Sequence, residues 1–266
     1  MRYHIECELP VPAASALYRG RDARTERSVA IKLTPIAGDA CSSVGSPLPA
    51  AASESLRLGH PGIAELHETF TAGQLHCAVM ELVEGADLRR HVTPSDLLPL
   101  STVLSIISAA AEALHHAHSH GAVHGDVKPA NIVFDAATGT VKIVDFDLTH
   151  GPQQRGSAAY MSPERLSGEP ASAASDQFAL GVTFYELLCG CKPFGGDSWP
   201  QVAYRIAYER HTDIYEHKPR LPRDLAPIID RALAKEPHRR YANLRALAAA
   251  TAMLGARLPR SFPCAP

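Results

Sequence analysis

The chain has 266 residues with 26 basic and 28 acidic side chains, a formal net charge of -2, 45% hydrophobic and 20% charged residues. That is an ordinary globular composition, long enough for one large domain or two small lobes, and it carries no basic footprint for nucleic acid. No apolar run reaches the length of a membrane span and Met1-Arg2-Tyr3-His4 does not open a signal peptide, so the expectation is a cytoplasmic protein.

Residues 1–36 alternate apolar runs with Pro, Gly and charge clusters, the pattern of short antiparallel strands. In Ser28-Val29-Ala30-Ile31-Lys32-Leu33, period-two alternation turns Lys32 away from Val29 and Ile31; a solvated lysine on an edge strand is the commoner fate of this residue type. Residues 37–50 read as a connector, and Ala50 to Leu58 as a short Ala-rich helix closed by Gly59-His60-Pro61-Gly62. Strands are expected over Ile63–Thr71 and Gln74–Leu82, and Val83-Glu84-Gly85 ends the strand pattern.

Beyond this point the chain reads as helical. Val103, Leu104, Ile107, Ala110, Ala111 and Leu114 form one stripe on a helix over Leu100–Ser119. Its end holds His115, His116, His118 and His120, which suits an exposed helix terminus better than a metal centre, because no carboxylate or cysteine stands at a telling spacing. A hairpin-like segment is expected over Phe134–Ile143, followed by helices at about Ser175–Leu188, Trp199–Tyr208, Leu225–Ala234 and Asn243–Leu254. The fold class is therefore α+β in two lobes, a small β-rich lobe over 1–82 and a larger helical lobe over 83–266, together one domain. The cysteines at 7, 41, 77, 189, 191 and 264 are dispersed and read as reduced thiols; Cys189-Gly190-Cys191 lacks a second pair at ligand spacing.

The chemistry concentrates in His124-Gly125-Asp126-Val127-Lys128-Pro129-Ala130-Asn131. An aspartate able to accept a hydroxyl proton, a lysine two residues on and an asparagine five residues on make a catalytic loop for phosphoryl transfer. As a lone triplet, His-Gly-Asp would be only a polar turn. Asp145, in Val144-Asp145-Phe146-Asp147 beyond the hairpin, makes that reading untenable, because Asn131 and Asp145 together offer hard oxygen ligands for Mg²⁺.

With these pieces placed, nearly the whole chain resembles the eukaryotic-like Ser/Thr protein kinases of bacteria. Val29-Ala30-Ile31-Lys32 is similar to the strand whose lysine grips the α- and β-phosphates of ATP. Met80-Glu81-Leu82-Val83 resembles a gatekeeper and hinge, with Leu17, Ala30 and Val133 implied to sandwich adenine. Lys128-Pro129-Ala130-Asn131 has the Ser/Thr-kinase form, and Gly156–Glu164 resembles a substrate-docking loop in which Ser157 would bond Asp126 and Lys128. Asp176 matches a buried helix aspartate that holds the catalytic-loop backbone, and Arg240 matches a buried partner of Glu164. The resemblance implies ATP and Mg²⁺ as cofactors and proteins bearing Ser or Thr as substrates.

Four departures stand beside it. Pro10-Val11-Pro12-Ala13-Ala14-Ser15 occupies the place of a glycine-rich phosphate loop, and its prolines remove N–H donors. The helix acid expected to pair with Lys32 would fall at Ala51; the nearest acid is Glu54. Gly125 replaces the arginine that would clamp a phosphorylated activation loop, and Asp147 replaces the glycine after Phe146. These departures leave two alternatives, a kinase-shaped binding module with little transfer and a small-molecule phosphotransferase of the aminoglycoside or choline type. With Thr149 the remaining loop hydroxyl and Arg155 the one basic residue there, no phosphate clamp is expected, and control falls to expression or a protein partner.

Overall fold

The computed structural model of the protein describes residues 2–9, 16–36, 58–146 and 158–258. A five-stranded antiparallel sheet comes first, β1 (Tyr3–Leu9), β2 (Ala16–Asp22), β3 (Ser28–Pro35), β4 (Leu66–Ala72) and β5 (Leu75–Glu81), in the order β1-β2-β3-β5-β4. Alternation along β3 divides the sheet into two faces. Val29, Ile31 and Val79 pack with Tyr3, Tyr18 and Leu33 on one, and Ala30, Leu66, Ala78 and Met80 with Leu17 and Leu82 on the other.

Four elements build the cleft floor: β6 (Ala86–Asp87), helix α1 (Leu100–Ser119), β7 (Ile132–Asp135) and β8 (Thr140–Ile143). The three strands form a second small sheet in the order β6-β7-β8. Gly85, φ 115°, lets the chain pass β7, since a Cβ there would sit 2.6 Å from the Phe134 carbonyl oxygen. The remaining helices are α2 (Pro163–Leu166), α3 (Ala173–Cys189), α4 (Trp199–Tyr208), α5 (Ile214–His217), α6 (Leu225–Ala232) and α7 (Leu244–Arg257). Every residue of α3 from Ser175 to Cys189 is buried, as befits a helix enclosed on all sides, and its ends are cut by a Ser172/Ser175 capping box and by Gly190 in the left-handed region. Helix α1 packs against α7, α3 and β8, burying Leu100, Ile106, Ala113 and Ala117 besides the expected stripe.

Several expected boundaries move, two of them for a tertiary reason. The strand expected from Ile63 begins at Leu66, because Gly62 and Ala64 bond instead to the backbone of Ile143 in β8. The helix expected to reach Ala234 stops at Ala232, and the Ala234 carbonyl is taken by Arg240 Nε at 2.8 Å. The last helix runs three residues beyond Leu254, with Asn243 as its cap, accepting from Ala246 N–H. The expected Ala50–Leu58 helix lies outside the described residues apart from Leu58, which is buried in the core.

Among the described residues, no helix is long and apolar enough to cross a membrane.

Candidate active site

The loop between α1 and β7 carries Asp126, Lys128 and Asn131, and buried hydrogen bonds set its shape. Asp176, 1% exposed on α3, accepts from the His124 N–H at 2.8 Å and the Gly125 N–H at 2.9 Å. His118 Nε2, near the end of α1, lies 2.8 Å from the same carboxylate. Gly125 has φ 79°, a turn that permits both amides to point at one carboxylate.

His124 is fully buried, and its two nitrogens have different partners. Nδ1 accepts the Asp126 N–H at 3.1 Å, so the ring hydrogen is on Nε2, which donates to the Val144 carbonyl at 3.0 Å. The ring packs on Phe146 with centroids 4.7 Å apart. One neutral imidazole thus ties Asp126 to the segment bearing Asp145.

The reactive side chains form two contacting groups, Lys128–Asp126–Asn131 and Asp145–Lys32, joined through the backbone. Lys128 Nζ lies 2.5 Å from Asp126 Oδ2. Asn131 Nδ2 donates to the Asp126 carbonyl oxygen at 2.8 Å and reaches Oδ2 at 3.3 Å, which turns its amide oxygen to the opposite side. The Asn131 carbonyl oxygen accepts the Val144 N–H at 3.0 Å, joining the second group to the first. Asp145 has φ 60°, an uncommon state for a residue with a Cβ and one that concentrates at functional sites. Lys32, from β3, lies 2.8 Å from Asp145 Oδ2. The expected acid partner Glu54 is outside the described residues, and in this structure the lysine is held by Asp145 itself.

The sheet face that carries Lys32 also carries the apolar group expected for a base. Leu17 pairs across from Lys32, and Ala30 from Met80, with Leu66, Ala78 and Leu82 beside them. Val133, half-buried on β7, is the cross-strand partner of Lys142, whose Nζ reaches Glu81 at 2.8 Å. Glu81 therefore ties the end of β5 to β8, and the half-buried Val83 lies two residues on. Asn131 and Asp145 offer two hard oxygen donors, and such a set fits Mg²⁺, which keeps waters and takes phosphate oxygens for the rest of its shell.

Beside Asp126 opens a pocket lined by Gly125, Val127, Tyr160, Met161 and Ser162. Tyr160 is anchored to α3 by its hydroxyl, which donates to Glu186 at 2.6 Å; burial and the Glu186 charge push its titration far above the ordinary range. Glu164 forms two 2.7 Å bonds with Arg240, whose side chain is fully buried. The other Arg240 donors go to the carbonyls of Ala234, Ala174 and Lys235, so the whole guanidinium fork is used. Burial works to raise the Glu164 carboxyl, but the Arg240 bonds outweigh it and hold it below the usual range. Both long-range pairings expected from the sequence, Asp176 with the loop backbone and Arg240 with Glu164, are present.

Ser157, Asp147, Thr149, Arg155 and residues 10–15 lie outside the described residues. His118, the His124 tautomer and the Lys142–Glu81 tie went unread in the sequence. His118 stood in the histidine run but is only 10% exposed at its side chain, against Asp176, rather than part of an exposed helix end.

The protein kinase domain family matches residues 11–251 of the chain. The serine/threonine-protein kinase PknB of Mycobacterium leprae (strain TN) is 34% identical over 256 residues, covering 90% of this chain and 41% of that protein. The serine/threonine-protein kinase PrkC of Bacillus subtilis (strain 168) is 33% identical over 199 residues, 71% of this chain and 31% of that one. The chain thus spans about two fifths or less of the length of these relatives. Among solved structures, the autoinhibited serine kinase domain of the giant muscle protein titin shares the fold with a TM-score of 0.77 at 22% identity, over 98% of this chain and 84% of that chain.

Proposed function

Because the chain belongs to the protein kinase domain family, we propose that it transfers the γ-phosphoryl group of ATP to serine and threonine hydroxyls of proteins. The observation that carries this reading is the pair of contacting groups Lys128–Asp126–Asn131 and Asp145–Lys32, joined by the Val144 N–H to Asn131 carbonyl bond. Asp126 orients the acceptor hydroxyl and takes its proton. Lys128 neutralises the transferring phosphoryl group, and Lys32 exchanges Asp145 for the nucleotide's α- and β-phosphates. Leu17, Ala30, Met80 and Val133 enclose adenine, with the backbone of Glu81 and Val83 at its edge; Ser157 steadies Asp126 and Lys128.

Asn131 and Asp145 would hold Mg²⁺, which would supply neutralisation of the phosphate charge when bound. The protein's contribution is positioning and fixed charge, with little covalent chemistry of its own. Residues 1–82 form the nucleotide-covering lobe and 83–266 the catalytic and docking lobe of one kinase domain. We place it in the cytoplasm, where ATP is abundant and its thiols stay reduced, with a protein partner as its regulator.

The test is γ-phosphate transfer to a generic protein and to the chain itself, for the wild type, Asp126→Asn and Asp145→Ala. Each variant should lose roughly 10²–10³-fold in rate. Wild-type transfer no greater than the variants' would overturn the reading and favour a binding module, the outcome to which the glycine-free, proline-bearing stretch 10–15 points. Transfer to an aminoglycoside or amino alcohol and to no protein would instead identify a small-molecule phosphotransferase.

A further inference from the structure

Three imidazoles stack where the chain approaches β4. The His60 ring centroid lies 4.8 Å from that of His116 on α1, and His116 lies 4.3 Å from His120, with planes tilted by 33° and 38°. Hydrogen bonds assign their tautomers. The Gly62 N–H donates to His60 Nδ1 at 3.0 Å, so that nitrogen holds a lone pair and Nε2 carries the hydrogen. His120 Nδ1 lies 2.8 Å from the His116 carbonyl, which can only accept, so there Nδ1 carries it. A metal ligand needs its lone pair, usually with the other ring nitrogen donating elsewhere. His60 has already spent its lone pair on Gly62, and among the described residues no group of three ligands could hold a metal.

The packing accepts the neutral form. A proton on His60 Nδ1 would set an N–H against the Gly62 N–H. Burial depresses His60, Lys142 adds to this, and Glu112 opposes it. His116 is depressed by burial and then by His120, His60 and His115. The space is close, since a Cβ on Gly62 would meet the Ala113 Cβ at 3.0 Å and the His60 ring at 3.2 Å.

This stack fastens the site from behind. The Gly62 carbonyl accepts the Ile143 N–H at 2.8 Å, the Ala64 N–H donates to the Ile143 carbonyl at 2.9 Å, and the Ile63 N–H donates to the His60 carbonyl at 3.0 Å. Ile143 ends β8 two residues before Asp145. On the other side, α1 leads through His118 to Asp176 and the catalytic loop.

We propose that the His60–His116–His120 stack is a proton-operated joint: neutral, it clasps β8 to α1; protonated, it releases segment 58–64 from Ile143. Because the closed joint holds His60 and His116 below their ordinary values, the open form binds more protons. Closure is therefore favoured at higher pH and is lost as pH falls through about 6.5 and below. Each proton taken up on opening lowers the protection of the joint's amides about tenfold per pH unit, and two protons about a hundredfold.

The experiment is amide hydrogen exchange from pH 7.5 to 5 on the nucleotide-free chain, independent of whether it transfers phosphate. Protection factors of Ile63, Ala64 and Ile143 should hold steady above about pH 6.5 and fall below it relative to amides in α3, by up to about tenfold per unit for each proton taken up. His60→Asn keeps an acceptor for the Gly62 N–H, as in an Asx turn, without a titrating ring, and should cut that fall to under about threefold per unit. His116→Gln, on a half-buried position, serves the same purpose if His60→Asn does not fold. Joint amides that follow α3 at every pH, a substituted chain that keeps the wild-type slope, or added Zn²⁺ that protects the joint in place of high pH would each overturn the proposal.

Discussion

Substitution of Asp176 by asparagine preserves volume while removing half of an acceptor. The carboxylate is held by the His124 N–H at 2.8 Å, the Gly125 N–H at 2.9 Å and His118 Nε2 at 2.8 Å, in a site 1% exposed. An amide offers one oxygen, so its NH₂ must face a donor. The milder orientation keeps the oxygen on His124 and His118 and turns the nitrogen toward the Gly125 N–H. One charge-assisted bond is lost, about 1.5–3 kcal/mol, and two buried donors confront each other, for a total of about 2–4 kcal/mol. At ~2–4 °C per kcal/mol for a chain of this size, Tm should drop by roughly 5–15 °C, read by calorimetry and urea unfolding. The loop then releases Gly125, next to Asp126, so kcat for phosphate transfer should fall about 10²-fold with the KM for ATP little changed. A double-mutant cycle with His118→Ala should show coupling above about 0.5 kcal/mol. Destabilisation below about 0.5 kcal/mol, or an His118→Ala effect identical in both backgrounds, would refute the reasoning.

Arg240→Met strands Glu164 in a buried site and should cost about 3–5 kcal/mol in urea unfolding, with much of the loss recovered when Glu164 is also made apolar. Lys235 is half-buried with its ammonium on the Arg205 and Ile206 carbonyls, and desolvation lowers its pKa to about 8. The unfolded lysine then holds a proton that the folded one has lost, so this group makes stability rise between about pH 8 and 10.5; Lys235→Met should flatten that rise in Tm against pH. Mg²⁺-ATP at a hundred times its Kd should stabilise the chain by about 2.7 kcal/mol. A chelator or Asn131→Ala should remove most of that shift, and equal shifts with and without chelator would reject Asn131 and Asp145 as the metal ligands.

The catalytic loop and Asp145 were legible because their chemistry is written in short runs of telling spacing. Lys32 by itself read as a solvated edge-strand lysine and took a phosphate role only from the resemblance, whereas β3 lies inside the sheet with Lys32 on Asp145. The faces of β3 followed from alternation, and α3 was expected over about Ser175–Leu188; its Ser172 cap and Gly190 end, which set Ala173–Cys189, came from the structure. The Asp176 and Arg240 partnerships came from the resemblance to Ser/Thr kinases, whose motif matches implied the loop backbone and Glu164 as their partners. Less was visible where a boundary or partner depends on a remote segment. β4 starts late because Gly62 and Ala64 are drawn to Ile143, and α6 ends early where Arg240 claims the Ala234 carbonyl. Lys32 meets Asp145, a residue 113 positions further along the chain. His118 and His116 are two residues apart on one helix, yet one turns to Asp176 and the other to His60. The sequence by itself determined which groups could do the chemistry and the local shapes that carry them. The tertiary structure alone decided which donor meets which acceptor, because those distances arise only when segments far apart in the chain are packed around α1 and α3.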